Sequence, residues 1–219
     1  MPTKNFLQLE AEVSAHVAAD QVKQGSYKTC FIGCLAKQEG SPEFLESEYG
    51  IPLAVSRIAE SIFELLPSDE APAFFAAFPD AVESDGKNLT RVCWQFLAAE
   101  LRSLPPVTPD LQAVINRVID GMDLLAQGKE WSEAAARAAS AAARAASAAD
   151  WAAASAASAA SAASAGYRAA ASAAAASAAA SAGYCAAASA AAKFAVRRRQ
   201  RDLLLTLIKE APITQQENS

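Results

Sequence analysis

The chain has 219 residues, enough for one large helical domain or two smaller ones with a buried core. Its net charge of −5 argues against a general nucleic-acid-binding protein, and its four cysteines are too few and too scattered for a disulfide framework. The first residues are polar and lack the apolar core of a secretory signal, so we expect a soluble, cytoplasmic protein.

Charge is divided unevenly along the chain. Residues 1–130 hold 10 basic and 19 acidic side chains, whereas residues 131–219 hold 9 basic and 5 acidic ones. Opposite signs favour docking of one part on the other, although solvated charged faces would give the same count. With Gly128 at the change in composition, we predict an amphipathic multi-helix domain over 1–130 and an alanine-rich domain over 131–219.

The first elements are short. Residues 5–22 mix apolar and acidic side chains in the pattern of an amphipathic helix, and residues 25–27 end it. The apolar segment 29–36 fits either a buried helical turn or a strand, and a helix is favoured because nothing nearby resembles a partner strand. Ser41 and Pro42 then begin a short helix that stops at Gly50.

Four further helices are predicted before the alanine-rich region. Pro52 opens the first, residues 68–70 cap the second, and Pro79 with the loop 84–86 closes it. Residues 88–104 and 109–125 form the other two. In the helix after Pro52, the predicted core positions recur at helical spacing: Leu53, Val55, Ile58, Ala59, Ile62, Phe63 and Leu66.

Residues 132–196 are almost entirely alanine and serine. Alanine has the highest helix propensity, and helices coated with methyl groups can approach one another closely, so we predict a tightly spaced helical bundle. Gly166 and Gly183 begin two copies of a Gly-Tyr segment and either break the run or lie within one long rod. Breaks are favoured because a lone rod would expose a large apolar surface, and recurring charges argue against a membrane span.

The last predicted helix, over 193–210, is basic at its start and rich in leucine towards its end. Clustered arginines can bind an acidic protein partner or phosphates, or can pair with acids of the same chain. Aromatic side chains of the alanine-rich run complete a candidate partner-binding set. Its members are Arg197, Arg198, Arg199, Arg201, Trp151, Tyr167 and Tyr184.

Cysteine and histidine give weak candidates for a metal site. Cys30 and Cys34 would share one helix face, and His16 is the only histidine. Zinc sites usually pair two closely spaced cysteines with a second such pair, which the sequence lacks, so buried structural cysteines are favoured. Glycine-rich phosphate loops, a nucleophilic-serine elbow and His-Glu-x-x-His are also absent, so we predict no catalytic residue, metal or cofactor.

Two parts of the chain resemble known families. The segment Lys-Thr-Cys-Phe-Ile-Gly-Cys at 28–34, followed by 48–54 and 57–64, resembles uncharacterised phage and bacterial proteins that end in an alanine-rich helical run and a leucine-rich helix. The run itself is similar to immunity-protein-like alanine-rich domains found beside bacterial toxins. The first resemblance implies an all-helical fold, and the second implies binding and neutralising a partner protein.

The sequence therefore predicts an all-α protein whose multi-helix N-terminal portion packs on an alanine-rich bundle. The expected function is that of a non-catalytic protein-binding factor, either immunity- or antagonist-like or an assembly component. Its partner would be a protein, acidic if the arginines contact it; no specific nucleic acid or membrane is expected, and homo-oligomerisation stays open. The alternatives are ice binding by the alanine-rich helices and an enzyme or metal-binding protein that uses His16, Cys30 and Cys34.

Overall fold

The computed structural model describes residue 2 and residues 4–25, 29–36, 42–146 and 190–213. Of the residues so described, 72% are helical and none forms a strand, which confirms the predicted all-α class. The helices are α1 (Phe6–Ala18), α2 (Phe31–Leu35), α3 (Pro42–Tyr49), α4 (Leu53–Leu65), α5 (Ala71–Val82), a 3₁₀ turn (Leu89–Arg91), α6 (Val92–Arg102), α7 (Pro109–Ala126), α8 (Glu133–Ala146) and α9 (Ala190–Lys209). Within these described ranges, no helix is long and apolar enough to cross a membrane.

The chain divides into two compact units. The first combines Met1–Val92 with Arg197–Ser219, and the second is Cys93–Val196. The predicted domain boundary at residue 130 stays a prediction, because residues 147–189 lie outside the described ranges. The predicted breaks at Gly166 and Gly183 fall in that same segment, as does most of the predicted alanine-rich bundle.

Helix α1 begins with reciprocal capping by two side chains. The Gln8 amide donates to Asn5 Oδ1 at 3.0 Å, and the Asn5 amide donates to Gln8 Oε1 at 2.9 Å. The helix ends at Ala18, so the prediction that it reaches residue 22 is wrong. Asp20 has a positive φ of 52°, which turns the chain before Val22 is buried in a non-helical segment.

The core of the first unit is built around Phe31 of α2. Its ring lies 5.0 to 6.2 Å, centroid to centroid, from four other phenylalanine rings. These rings belong to Phe63 of α4 and to Phe74, Phe75 and Phe78 of α5. The helix predicted over 29–36 is thus confirmed, and five residues are too few for α2 to be stable without this burial. All seven predicted core positions of α4 are buried as well.

Pro79 does not end α5, which continues to Val82. Proline removes one backbone hydrogen bond and crowds the preceding turn, at a cost of about 3 kcal/mol. Pro79, Ala81 and Val82 are all buried, and their burial offsets this cost. Helix α5 stops only where Glu83 takes a positive φ of 57°.

Helix α9 returns the end of the chain to the first unit. It begins three residues before the predicted start at 193 and ends at Lys209, ahead of Pro212. Leu204 and Ile208 are fully buried. Beyond the helix, Ile213 forms an antiparallel bridge with Lys87, and the Asn88 amide donates to the Pro212 carbonyl at 2.8 Å.

The second unit contains α7 packed on α8. Ser132 caps α8, because its Oγ accepts the Ala135 amide at 3.2 Å. Gly121 of α7 lies under the indole of Trp131, where a Cβ would come within 2.3 Å of a ring atom. Arg102, at the end of α6, pairs with Asp123 of α7.

Candidate functional site

Two of the four predicted partner-binding arginines pair with Glu70 at the start of α5. Arg198 Nε donates to both Glu70 oxygens, at 2.8 and 3.1 Å, and Arg201 donates to Glu70 Oε2 at 3.0 Å. The hydrogen bond from Arg198, with the charges of both arginines, lowers the pKa of Glu70 below its ordinary value. These two guanidinium groups therefore attach α9 to α5, which is the intramolecular alternative that the sequence left open.

The other members of the predicted partner-binding set differ in their placement. Arg197 is fully buried and donates to Gln200, whereas Arg199 is exposed. Trp151, Tyr167 and Tyr184 lie outside the described residues. The serine repeat on which the ice-binding alternative rests lies outside them too, so both predictions stay as they were.

Sequence analysis grouped His16 with Cys30 and Cys34, but among the described residues the group of potential metal donors does not include His16. His16 Nδ1 lies 2.9 Å from Gln21 Oε1. Cys34 donates to the Thr29 carbonyl at 3.4 Å, and Cys30 caps α2 by accepting the Gly33 amide at 3.4 Å. Cys30, Cys34 and Cys93 are buried, as predicted.

Cys30 meets two carboxylates that sequence analysis did not select. One donor atom from each of Cys30, Glu60 and Glu64 lies within 4.8 Å of the other two. The Ile32 amide donates to Glu60 Oε2 at 2.8 Å, and the Gly25 amide donates to Glu64 Oε2 at 2.8 Å. The two glutamates thus attach Gly25 and Ile32 to α4.

Burial raises the pKa values of the side chains in and beside this cluster. It raises the pKa of the Cys30 thiol to about 12, with a further contribution from the hydrogen bond with Glu60. Burial likewise raises the pKa of Cys34 to about 11 and the pKa of Glu60 above its ordinary value. Both thiols are therefore protonated at neutral pH and are weak nucleophiles, which disfavours covalent catalysis by either cysteine.

A cleft of about 710 Å³ lies in the first unit, where the start of α1, the end of α3 and residues 82–90 meet. This volume falls in the range of sites that bind small molecules or anchoring side chains. Its apolar lining comes from Pro2, Phe6, Leu9, Val82 and Leu89, and its polar lining includes Lys4, Tyr49, Asp85, Lys87 and Asn88.

Two lining residues of the cleft, Lys4 and Tyr49, form a hydrogen-bonded group with Glu12. Tyr49 donates its hydroxyl to Glu12 Oε2 at 2.6 Å, and Lys4 Nζ donates to Glu12 Oε1 at 2.8 Å. The Lys4 ammonium also lies 5.0 Å from the centre of the Tyr49 ring and 5.4 Å from that of Phe44. Burial, together with Glu12, raises the pKa of Tyr49, so this hydroxyl stays a hydrogen-bond donor at neutral pH.

Lys87 also lines the cleft, and its side chain is only 5% exposed. Its ammonium donates to the carbonyls of Ala81, Ile208 and Lys209 at 3.1, 3.3 and 2.7 Å. Those carbonyls end α5 and α9, where backbone acceptors lack helical partners. Nearby, the Phe6 amide donates to Asp85 Oδ1 at 2.6 Å and joins the two sides of the cleft.

Two exposed apolar side chains lie beside the cleft. Leu7 is 67% exposed, and its neighbours in the chain, Phe6 and Gln8, both line the cleft. Ile213 is 59% exposed and is bridged to Lys87, another lining residue. Each of these two side chains is therefore next to lining residues, Leu7 along the chain and Ile213 through a backbone bridge.

Comparison with protein-family models, curated proteins and solved structures finds no match to this chain.

Sequence reasoning missed Glu60, Glu64 and the cleft residues. Glu60 and Glu64 are four residues apart on a helix whose buried positions are apolar except for Ser56, and this spacing was the available signal. Carboxylates at that spacing usually lie on solvated faces, so the pattern alone did not separate them from other acidic pairs. The sequence around Lys87 gave no indication of its buried position, because the Ile208 and Lys209 carbonyls that accept its hydrogen bonds lie far along the chain.

Proposed function

We propose that this chain is a non-catalytic helical protein-binding factor, of the immunity, antagonist or assembly kind, and that its partner docks at the cleft. The observation that carries the proposal is the position of Leu7 and Ile213. Both are large, apolar and exposed, and both adjoin a cleft with apolar lining. Exposed apolar surface of this kind is typical of protein contacts.

A partner side chain inserted into the cleft would be the anchor of such an interface. Interfaces gain most of their binding energy from a few side chains that fill well-packed pockets, while the surrounding contacts exclude water. Phe6 and Leu89 offer apolar contact inside the cleft, and Leu7 and Ile213 offer it outside. The lysines of the cleft already have partners within the chain, so the proposed contact depends on apolar burial more than on charge.

The arginines that sequence analysis selected for partner binding contribute less to the proposed interface than the cleft does. Arg198 and Arg201 would have to leave Glu70 before they could bind an acidic partner. Ion pairs at the protein surface contribute little to stability, so the two arginines can exchange Glu70 for a carboxylate of the partner at low cost. The cleft needs no such rearrangement.

The proposal is tested by placing a photo-crosslinking residue at position 7 of the full chain, expressed in its source organism. Val17 provides a matched control position, because it is also exposed and lies on the same helix, yet it does not line the cleft. We expect a discrete crosslinked protein from position 7 and none from position 17. Leu7→Asp should weaken recovery of that partner at least tenfold, whereas Val17→Asp should leave it unchanged. Equal crosslinking from both positions would contradict docking at the cleft.

A further inference from the structure

We propose that Cys30, Glu60 and Glu64 form a zinc-binding site in the first unit. Their donor atoms, one sulfur and one oxygen from each carboxylate, lie within 4.8 Å of one another. Two of the donors belong to α4 and the third to the residue that caps α2, so the fold brings together segments about thirty positions apart. The proposal concerns a different part of the molecule from the cleft and does not depend on partner binding.

The surrounding hydrogen bonds hold the ligands in position. Glu60 and Glu64 lie on one face of α4, one turn apart. Each uses Oε2 to accept a backbone amide, from Ile32 and from Gly25 respectively. The Gly33 amide donates to Cys30 Sγ at 3.4 Å. Outer hydrogen bonds of this kind orient metal ligands and are part of a working site.

The distances fit a small ion after modest adjustment. Zinc bonds to sulfur at about 2.3 Å and to carboxylate oxygen at about 2.0–2.2 Å, so tetrahedral donors are roughly 3.5 Å apart. A contraction of about 1 Å from the observed limit of 4.8 Å is within reach of side-chain rotation in glutamate. On binding, the sulfur exchanges its proton for the metal, and that proton passes to solvent.

The combination of one sulfur and two oxygen donors favours zinc over calcium and magnesium. Calcium and magnesium prefer ligand sets made wholly of oxygen, whereas a thiolate with two carboxylates suits zinc, which accepts both kinds. Three protein ligands leave a fourth position open, as in zinc sites that keep an exchangeable water.

A second observation on the same helix supports a polar ligand at this place. Ser56 lies one turn before Glu60 on the same face of α4 and is fully buried. Within the part of the chain that the structure describes, its hydroxyl has no hydrogen-bond partner. A buried hydroxyl without a partner is costly in an apolar core, and a polar ligand bound beside α4 would relieve that cost.

The test uses the full chain, freed of metal with a chelator and titrated with Zn²⁺ by calorimetry, and with Co²⁺ by absorption spectroscopy. Cys30→Ser removes the sulfur but keeps a good helix cap, and Glu64→Gln keeps an oxygen to accept the Gly25 amide, so both variants should fold. Cys34→Ala is the matched control, because Cys34 is a buried cysteine of the same helix outside the donor group.

We expect one zinc ion per chain in the wild type and in Cys34→Ala, with affinity at least tenfold weaker in Cys30→Ser and Glu64→Gln. The Co²⁺ complex of the wild type should show a thiolate charge-transfer band that Cys30→Ser lacks. Two results would overturn the proposal: no binding at micromolar zinc, or binding by Cys30→Ser as tight as that of the wild type, which would mean an adventitious ion only. Helix content, followed by circular dichroism, separates lost binding from lost folding.

Discussion

Lys87 carries its ammonium group to the ends of two helices that are distant in sequence. A buried lysine is normally unfavourable, because its charge loses the solvation of water. Here three backbone carbonyls replace that water, and each of them lies in a last helical turn, where the helix dipole favours a cation. The lysine therefore stabilises the fold only as long as both helix ends are present.

Lys87→Met should destabilise the first unit by about 2–4 kcal/mol, because the methionine fills the space but removes the donor to the Ala81 and Lys209 carbonyls and the 3.4 Å ion pair with Glu83. Urea unfolding followed by circular dichroism measures the change. Lys23→Met is the matched control: the Lys23 side chain is exposed and pairs with Asp20 at 3.8 Å, so its loss should change stability by less than about 0.5 kcal/mol. Equal effects of the two substitutions would show that the carbonyl contacts contribute nothing.

Glu70 gives a prediction about pH. Its pKa is lowered in the folded protein by the hydrogen bond from Arg198 and by the charges of Arg198 and Arg201. Ionised Glu70 thus stabilises the fold above its unfolded-state pKa of about 4.3, and this contribution is lost as the pH falls through the lower folded-state value. Near neutral pH, Glu70→Gln should lower the unfolding midpoint, and the difference from wild type should shrink towards zero in acid.

The salt dependence of the same variant provides a check. Added salt screens exposed ion pairs, so it should narrow the difference between wild type and Glu70→Gln at neutral pH. Glu46→Gln, an exposed position on α3, should differ little from wild type at any pH. A difference for Glu70→Gln that persists unchanged in acid would argue against the ion pair as its cause.

At the scale of elements, the sequence predicted the kind of each described helix better than its ends. Proline and glycine marked α3 and α4 correctly, because their backbone constraints act locally. The ends of α1 and α5 were misplaced: α1 stops two residues before Asp20, a non-glycine residue with positive φ, and α5 continues through Pro79. In both cases the deciding factor is which residues the rest of the protein buries, and local propensity does not contain that information.

Gly121→Ala tests the packing of Trp131 on α7. In an isolated helix, alanine would be more favourable than glycine by about 1 kcal/mol. Here the new Cβ would lie within 2.5 Å of three indole atoms, so the ring must move, and we expect a net loss of about 1–3 kcal/mol in unfolding free energy.

The same substitution made in a Trp131→Ala background should have the opposite sign. Without the indole, the helix propensity of alanine dominates, and Gly121→Ala should stabilise the chain by up to about 1 kcal/mol. Chemical denaturation of the four proteins of this cycle measures both values. If Gly121→Ala destabilised the chain in both backgrounds, the steric clash of its Cβ would be with a residue other than Trp131.

At the scale of the whole molecule, the first unit is assembled from both ends of the described chain. The sequence predicted α9 as a helix that is basic at its start and rich in leucine towards its end, but not its partners, since pairing across 128 positions between Glu70 and Arg198 leaves no local trace. The cleft was unpredictable for the same reason, because its walls come from segments around residues 5, 50 and 87. The charge asymmetry pointed towards contact between acidic and basic parts, and the pairing of Glu70 with Arg198 is one such contact.

Ile208→Ala should destabilise the first unit by about 2–4 kcal/mol, because it opens space at a fully buried position. We expect hydrogen exchange to quicken in α5 and in residues 84–90 as well as in α9, since all three share one cooperative unit. Leu207→Ala, at the half-buried neighbouring position, is the control and should have a smaller effect. Faster exchange confined to α9 would show that this helix opens independently.

The hydrogen bonds between Lys87 and the end of α9 also affect when the first unit can fold during synthesis. A ribosome adds Val92 more than a hundred positions before it adds Ile208 and Lys209. Until then the acceptors for Lys87 in α9 do not exist, and the nascent first unit lacks both that anchor and the apolar side chains of the last helix. Completion of this core therefore has to follow the synthesis of α9, and a chain terminated before that helix would expose to chaperones and proteases the surfaces that α9 buries.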